Sequence, residues 1–355
     1  MEKIIILGQG IAGSIIAFRL LEAGIPPEIV DDNHKHSSSM VAAGLWNPIV
    51  FRRINKSWKA DEFIPELESF FTRVEWKLGA DFYQSLDISR MHSSKLEQDL
   101  WMEKKTLPGF FDYLGEPEDV PPTHFESGEF GLGKVHRAGY IDLPAFLQSA
   151  AEFFKSEGLY KQANISDTWI AEQLAQNDVA VIDCRGYQSA FSGYWSYLPF
   201  GLTKGEVLTI SCDGLDLESI FNAGFFVCPL GENRYRVGAT FNWDDCDQKP
   251  TEDGKQQLVE KLEKWLKSPF EIEDHKAGVR PTVQDRRPLI GVHPNHKNLW
   301  LFNGMGTKGV MLAPQLSQVF TSAFLHGNPI PKEMNISRFE KLLGQQNPTV
   351  NYPNP

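Results

Sequence analysis

The sequence has few cysteines, and none of them form a closely spaced pair. Cys184, Cys212, Cys228 and Cys246 are far apart, and no C-x-x-C motif occurs. Neither a zinc site nor a redox-active dithiol is therefore indicated, and buried or unreactive thiols are expected. No metal site is predicted in this chain.

Long apolar runs are also absent. The amino-terminal run, residues 4–7, stops at Gly8. It is too short for the core of a signal peptide and far too short to span a bilayer. We therefore expect no membrane span and a location in the cytoplasm.

Basic residues are in the minority. The chain has 35 Lys and Arg against 46 Asp and Glu, which gives a formal net charge of −11. This charge repels nucleic-acid phosphates unless a local basic patch overrides it. The one dense basic stretch, residues 52–56, is short and is interpreted as a solvated loop. Nucleic acid is not an expected partner.

The chain is long enough for two domains. Its 355 residues exceed the roughly 250–300 at which a single core stops growing. The 41% content of hydrophobic residues is typical of an ordinary globular protein and not of a disordered or fibrous one.

A nucleotide-binding turn follows the first apolar run. Residues 4–7 predict a buried parallel strand, the turn reads Gly8-Gln9-Gly10-Ile11-Ala12-Gly13, and residues 14–23 have a helical pattern. Gly8 permits the tight turn, Gly10 lets a pyrophosphate approach the backbone, and Gly13 lets helix and strand pack closely. The phosphates would then lie at a helix N-terminus.

A second predicted strand ends in an acidic residue. Residues 28–30 lead to Asp31, 18 positions after Gly13, where a carboxylate can accept hydrogen bonds from a ribose. Strand, turn, helix and acid together predict dinucleotide binding. Asp31 weighs against NADP, because it would repel a 2′-phosphate, but it does not separate NAD from FAD.

Four further segments carry recognisable motifs. They are residues 37–48 (SSSMVAAGLWNP), residues 179–186 (VAVIDCRG), residues 278–291 with GVRPT and DRRPLIG, and residues 301–314 (LFNGMGTKGVMLAP). Read in this order, they resemble the D-amino-acid oxidase and glycine oxidase superfamily of FAD enzymes. The third is the most specific, since it is close to the G-x-R-P…D-x-x-P-x-I-G signature of that superfamily.

The resemblance implies FAD as the cofactor. The serine-rich segment lacks the histidine that tethers flavin in some sarcosine-type dehydrogenases, so the resemblance implies non-covalent binding. Small residues would close on the phosphates and the flavin, and the last segment would place a helix N-terminus beside the flavin pyrimidine edge. Besides the turn residues and Asp31, the implied cofactor-binding residues are Ser38, Ser39, Ala43, Gly44, Gly186, Gly304, Gly306, Thr307, Lys308 and Gly309.

Two cations in these segments have open roles. Cys184 and Arg185 replace the alanine and threonine that are usual before Gly186, and Arg185 could reach a phosphate or stand in solvent. Lys308 could strengthen the positive charge at the flavin edge or point to water.

The resemblance assigns Arg280 to the substrate. In the amino-acid oxidases the arginine of G-x-R-P binds the substrate carboxylate, and a planar guanidinium offers paired donors for it. The alternative is a structural ion pair with a carboxylate such as Asp285. A tyrosine that helps to hold the carboxylate in D-amino-acid oxidases corresponds to Phe226, which lacks the phenol oxygen. This favours a different anchor or a bulkier amine, with Phe226 as a pocket wall or a core residue.

The implied fold class is α/β, with a Rossmann-like FAD-binding domain that is discontinuous in sequence and an inserted α+β substrate domain built on an antiparallel sheet. The FAD-binding domain would comprise residues 1–48, 137–200 and 276–355, and the substrate domain residues 49–136 and 201–275. Alternating stretches at 207–210 and 235–241 predict strands with one solvent face. Helical patterns at 65–78, with Pro65 as a first helical residue, and at 254–266 predict helices that cover the sheet.

The implied reaction is oxidation of the C–N bond of a small amine or amino acid to an imine, by hydride transfer to flavin N5 with oxygen as acceptor. No protein base is required if the substrate binds as the neutral amine. Three alternatives stay open: a dehydrogenase of the same fold that uses a quinone or carrier protein, a tRNA-modification oxidoreductase, and a non-catalytic flavin-binding protein. The sequence predicts neither the substrate identity nor the oligomeric state.

Overall fold

The computed structural model describes residues 3–33, 37–118, 121 and 124–345. Within these residues the chain forms nineteen β-strands and eight α-helices. The outermost parts of the predicted FAD-binding domain, residues 1–2 and 346–355, lie outside the described residues.

The secondary structure alternates between short strands and helices of varied length. In chain order the strands are β1 (Lys3–Leu7), β2 (Glu28–Asp31), β3 (Leu45–Trp46), β4 (Ile49–Val50), β5 (Asn55–Lys56), β6 (Tyr83–Ser85), β7 (Ile88–Met91), β8 (Leu114–Glu118), β9 (Leu132–Val135), β10 (Gly139–Ile141), β11 (Tyr160–Gln162), β12 (Val179–Asp183), β13 (Thr203–Ser211), β14 (Ile220–Asn222), β15 (Phe226–Gly231), β16 (Arg234–Gly238), β17 (Glu271–Arg280), β18 (Leu289–His293) and β19 (His296–Asn303). The helices are α1 (Ile11–Glu22), α2 (Ser38–Val41), α3 (Ala60–Leu78), α4 (Lys95–Lys104), α5 (Leu143–Ser156), α6 (Asp167–Leu174), α7 (Glu252–Trp265) and α8 (Gly309–His326).

The first large sheet has the strand order β11-β2-β1-β12-β19-β18. Its first five strands are parallel, and β18 joins the edge as an antiparallel strand. Along β1, Ile4 and Ile6 face one apolar cluster, which includes residues of α1, while Ile5 and Leu7 face another. Both faces of the central strand are therefore covered, as its unbroken apolar run predicted. The predicted Rossmann-like α/β fold class is confirmed.

The second large sheet has the order β17-β13-β16-β15-β14-β7-β9-β8. Its neighbours are antiparallel except for β14 and β7. The predicted solvent face is wrong for β13, which is buried from Thr203 to Ile210. Leu208 and Ile210 pack in a cluster with Leu258 of α7 on one face, and Gly205 and Val207 line a cavity on the other.

The two predicted helices are present with shifted starts. α7 agrees with the predicted helix within two residues at each end. α3 begins at Ala60, so the prediction that Pro65 starts the helix is wrong, and Pro65 lies inside it. Asp61 and Glu62 occupy the first turn, where acidic side chains interact favourably with the positive end of the helix dipole.

The sheets follow the segments of the two predicted domains, with one exception. The strands of the parallel sheet lie between residues 3–31, 160–183 and 289–303, and those of the second sheet between 88–135 and 203–280. β17 crosses the predicted boundary after residue 275, so one strand leads from the second sheet towards the first. The division into domains stays a prediction. Within the described residues, no helix is both long and apolar enough to cross a bilayer.

Candidate functional site

A cavity of about 670 Å³ is lined by residues of both large sheets. At one end lie the turn between β1 and α1 and the end of β2. At the other end lie Phe226, Gly238 and Arg280, which belong to the antiparallel sheet. We refer to these as the nucleotide end and the substrate end.

The glycine turn at the nucleotide end has the geometry that its sequence predicted. Gly8 has a φ of +89°, which favours glycine, and a Cβ placed on Gly13 would lie 1.9 Å from the carbonyl oxygen of Gly8. Helix α1 begins at Ile11, and its N-cap residue, Gly10, has no side chain that could bond to the first backbone N–H groups. No acidic residue lies in the first turn of α1. Backbone N–H groups at this helix end suit a pyrophosphate.

Asp31 and Ser39 complete the nucleotide end. The Asp31 carboxylate accepts hydrogen bonds from the backbone N–H groups of Gln9 (2.7 Å) and Asn33 (2.7 Å), and it lines the cavity at the end of β2. The Ser39 hydroxyl accepts one from Ile11 N (3.2 Å). The serine-rich segment thus packs against the start of α1, beside the place where the turn would hold phosphates.

Most of the predicted site residues meet in this one cavity. Those that line it are Gly8, Gly10, Ile11, Ala12, Asp31, Ser38, Ser39, Ala43, Gly44, Gly186, Phe226, Arg280, Gly306, Thr307 and Gly309. Gly13, Gly304 and Lys308 are not among the lining residues. Gly13 and Gly304 instead permit close packing, since a Cβ on Gly304 would lie 2.9 Å from Leu289 N. The binding roles of all these residues stay predictions.

Arg185 does not stand in solvent, which was one of the two roles that the sequence left open. Its side chain is only 6% exposed and pairs with the fully buried Asp183 carboxylate at 2.6 Å. Asp183 also accepts hydrogen bonds from the Ser189 hydroxyl and the Trp195 indole. Burial alone would raise the pKa of Asp183, but the charge and hydrogen bonds of Arg185, together with the hydrogen bond from Ser189, lower this pKa overall. Arg185 is therefore the counterion of a buried acid under the turn.

Lys308 is half-buried and is not among the residues that line the cavity. Its ammonium group donates to the Ser57 hydroxyl at 3.0 Å. Burial, followed by the nearby guanidinium groups of Arg286 and Arg287, lowers the pKa of Lys308.

Arg280 is the only charged side chain among the lining residues of the substrate end. Its Nη1 donates to the carbonyl oxygens of Lys204 (3.2 Å) and Thr240 (3.4 Å), and its Nη2 to that of Thr240 (3.4 Å). The guanidinium lies 4.5 Å from the centre of the Phe241 ring, within range of a cation–π contact. These contacts fix the orientation of the guanidinium without neutralising its charge.

Arg280 has no acidic partner in the described part of the chain. The predicted alternative was an ion pair with Asp285, but Asp285 pairs with Arg338 at 2.9 Å. Burial lowers the pKa of the Arg280 guanidinium to about 10. A carboxylate that bound there would supply the missing counterion and raise this pKa again.

Several lining residues of the substrate end were not predicted from the sequence. They are Gly205, Val207, Asn222, Gly238, Ala239 and Phe241. Phe226 lies directly opposite Gly238 in the ladder between β15 and β16, and Gly238 lies opposite Val207 of β13. Opposed residues of an antiparallel pair share a face of the sheet. Val207, Gly238 and Phe226 therefore form a row on one face of the sheet. The row follows from the strand register, and no local sequence motif predicts it.

The nucleotide end fits FAD on the geometry of its own residues. A Cβ on Gly10 would lie 3.2 Å from the Ser39 hydroxyl, so the narrow space between the turn and the serine-rich segment suits a backbone-bound pyrophosphate. Asp31 is placed for a ribose. Gly306 and Thr307, in the turn before α8, and Gly309, the first residue of α8, line the same cavity and present a second helix N-terminus to it.

Comparison with known proteins agrees with this geometry. Residues 3–323 match the family model described as DAO, FAD dependent oxidoreductase. The glycine oxidase of Bacillus licheniformis is 30% identical, with 93% of this chain and 94% of that protein covered. The crystal structure of glycine oxidase from Geobacillus kaustophilus superposes with a TM-score of 0.75 at 17% identity and covers 95% of this chain and 97% of the other.

A second group of relatives is longer than this chain. The tRNA 5-methylaminomethyl-2-thiouridine biosynthesis bifunctional protein MnmC of Marinobacter nauticus is 21% identical over 89% of this chain, which spans 54% of that protein. The predicted superfamily, the enzyme class and the FAD cofactor are confirmed. With a match over nearly its whole length, the chain belongs to the DAO family of FAD-dependent oxidoreductases.

Proposed function

We propose that this enzyme oxidises the C–N bond of a small amino acid or N-substituted amino acid to an imine, with FAD held non-covalently. The observation that carries the proposal is the unpaired Arg280 guanidinium at the substrate end, which lacks a counterion in the described chain. The glycine oxidases among the relatives act on an amino acid by name, which supports the same class of substrate.

Arg280 would bind the substrate carboxylate with its paired donors and so fix the position of the α-carbon. FAD, when bound, supplies a hydride acceptor at flavin N5. The titratable side chains that line the cavity are Asp31, Asp32, Lys155, Cys184, Arg185, Tyr187 and Arg280. All but Arg280 belong to segments outside the substrate end, so among the residues that the structure describes none at the substrate end is placed to act as a general base. The amine must therefore lose its proton before the hydride leaves.

A panel of amines and amino acids, mixed anaerobically with the FAD-loaded enzyme, tests the proposal. We expect the flavin absorbance to bleach much faster with carboxylated amines than with the same amines after removal of the carboxylate. Bleaching by no amine in the panel would contradict the proposal and favour a non-catalytic flavin-binding protein. Flavin that remains with the acid-precipitated protein would contradict non-covalent binding.

Oxygen is the acceptor that we propose. Peroxide formed in step with substrate loss in air would support it, whereas turnover that requires an added quinone or carrier protein would point to a dehydrogenase. The location in the cytoplasm also stays a prediction.

The similarity to MnmC keeps a second candidate function, tRNA modification. The net charge of −11 disfavours binding of a polyanion. Salt-sensitive binding of tRNA by the purified protein, together with flavin bleaching by a modified tRNA, would favour this candidate over a free amino acid.

A further inference from the structure

We infer that Asn222 is a substrate-binding residue that recognises a hydrogen-bond acceptor at the far end of the substrate from the carboxylate. This inference rests on the proposed function, because it takes Arg280 as the carboxylate anchor. It narrows the substrate class to amino acids or N-substituted glycines that carry a second carbonyl, carboxamide or carboxylate group.

A hydrogen bond from Arg90 fixes the orientation of the Asn222 side-chain amide. Arg90 Nη1 donates to Asn222 Oδ1 at 2.7 Å, and the other side of the Arg90 guanidinium donates to both carboxylate oxygens of Glu97 (2.7 and 3.1 Å). Arg90 and Glu97 are 8% and 7% exposed. A guanidinium has only donors, so the amide oxygen must face Arg90. A bidentate buried pair also holds the guanidinium rigidly.

The amide nitrogen of Asn222 is then directed away from Arg90. Asn222 lines the cavity, and its Nδ2 donates no hydrogen bond to any described residue. The cavity wall thus presents a fixed N–H donor. A ligand acceptor would meet this half-buried amide in an orientation that Arg90 has already set, so little ordering of the side chain is needed to form the hydrogen bond.

The ladder of the antiparallel sheet places this donor relative to Arg280. Asn222 lies opposite Phe226, Phe226 opposite Gly238, and Gly238 opposite Val207. These four residues form a row across the sheet floor. Two positions from Val207 along β13, a Cβ on Gly205 would lie 1.9 Å from Arg280 Nη2, so the guanidinium lies directly over Gly205.

Arg280 and Asn222 therefore flank Phe226 from opposite sides. From β13 to β14 there are three strand spacings, about 14 Å in all. Gly205 lies two residues, about 7 Å, from the end of the row, so the two donors are about 16 Å apart and a hydrogen bond at each end leaves about 10 Å for the ligand. An extended chain covers that distance in about eight bonds. The N-(carbamoylalkyl)glycines have no stereocentre, and they reach this length: from carboxylate oxygen to amide oxygen there are about six bonds in N-(carbamoylmethyl)glycine and about eight in N-(3-carbamoylpropyl)glycine.

The test compares N-(carbamoylmethyl)glycine and N-(3-carbamoylpropyl)glycine with N-isobutylglycine and N-(4-methylpentyl)glycine, which have nearly the same shapes and no acceptor. All four are oxidised by FAD-loaded enzyme in the proposed reaction, and kcat/KM is measured for each. The ether analogues (carbamoylmethoxy)acetate and isobutoxyacetate have oxygen in place of the amine and cannot react in this way. Their Kd values, from calorimetry, provide a binding readout that does not depend on turnover.

We expect the native enzyme to prefer the carbamoyl compound of each pair by about tenfold and Asn222→Leu to show no preference. Asn222→Asp keeps the contact with Arg90 but presents only acceptors, so it should favour N-(2-aminoethyl)glycine instead. Asn328→Leu, at an exposed asparagine whose amide bonds Ser322, is the matched control and should keep the native preference.

An equal preference in the native enzyme, or an unchanged preference in Asn222→Leu, would overturn the inference. If none of these amines were oxidised while the ether analogues still showed the native preference and lost it in Asn222→Leu, the inference would stand and the proposed reaction would fail.

Discussion

The two ends of the cavity are built from different parts of the chain. The nucleotide end depends on backbone: the turn of residues 8–13 offers glycines and N–H groups, and Asp31 and Ser39 bond to that same turn. The substrate end depends on side chains from separate strands. Asn222 and Arg280 lie on opposite sides of Phe226, and the pairing of the strands in one sheet sets their separation. The residues of the nucleotide end lie close together in the sequence. Those of the substrate end are far apart in the sequence and are brought together only by the register of the strands.

This difference predicts how each end responds to substitution. Side chains under the nucleotide turn are packed and paired, so changes there should alter folding and FAD binding together. At the substrate end, the Arg280 guanidinium hydrogen-bonds to backbone carbonyl oxygens but has no acidic counterion among the described residues, and a largely buried charge without a counterion contributes little to the stability of the fold. Changes at the substrate end should therefore alter turnover and leave the fold intact.

Two buried arginines test this contrast most strongly. Arg185→Met would leave the fully buried Asp183 carboxylate without its counterion, so we expect a loss of about 3–5 kcal/mol in the free energy of unfolding. Arg280→Met removes a cation without a described acidic partner and should leave that free energy unchanged or higher. Urea unfolding of the two variants in parallel measures the difference.

In catalysis the larger effect is expected from Arg280→Met, whereas in stability it is expected from Arg185→Met. Arg280→Met is expected to lower kcat/KM for a carboxylated amine about 100- to 1000-fold, with FAD retained and with little change for the decarboxylated amine. Equal losses for both amines would remove Arg280 from the carboxylate site. A stable Arg185→Met protein would contradict the role of Arg185 as a counterion.

The same distinction explains which features were predictable from the sequence. The glycine turn, Asp31 and the G-x-R-P arginine lie in short segments whose residue order determines their geometry, and Gly8, Gly10, Asp31 and Arg280 all line the cavity. Asn222 and Gly205 carry no local signal, because their position depends on how β13 to β16 pair. The role of Arg185 was missed although Asp183 lies two residues before it, a spacing that could have indicated the pair.

At the nucleotide end, Gly13→Ala should disrupt both folding and cofactor binding. The new methyl group would lie 1.9 Å from the Gly8 carbonyl oxygen, so helix and strand must separate, at a cost of up to about 3 kcal/mol. We expect a lower melting temperature and purified protein with little or no flavin colour. Gly201→Ala is the control, because nothing lies within 4 Å of a Cβ placed there. A yellow Gly13→Ala protein of native stability would contradict the close packing.

The pH dependence of turnover reports on the substrate end. Because the pKa of Arg280 is about 10, its guanidinium stays charged over the neutral range, and none of the described side chains at this end is placed to act as a base. We expect kcat/KM to rise about tenfold per pH unit below the pKa of the substrate amine, and to fall above a pH of about 10, where Arg280 loses its charge. The rising limb should shift with the amine pKa across a substrate series. A rising limb at one fixed pH for every substrate would show that an enzyme group is titrating instead.

The smallest effect is expected at Phe226, which lies between Arg280 and Asn222 across the sheet. Phe226→Tyr adds the phenol that the family resemblance leads one to expect, and a donor near the bound carboxylate should lower the KM for glycine a few-fold. An amine of similar size without a carboxylate should show no gain, which separates a hydrogen bond from a general change in packing. Because the added oxygen also enters the path from Arg280 to Asn222, the KM for N-(carbamoylmethyl)glycine should rise in the same variant. A fall in KM for both glycine and the longer substrate would mean that Phe226 is not between the two anchors.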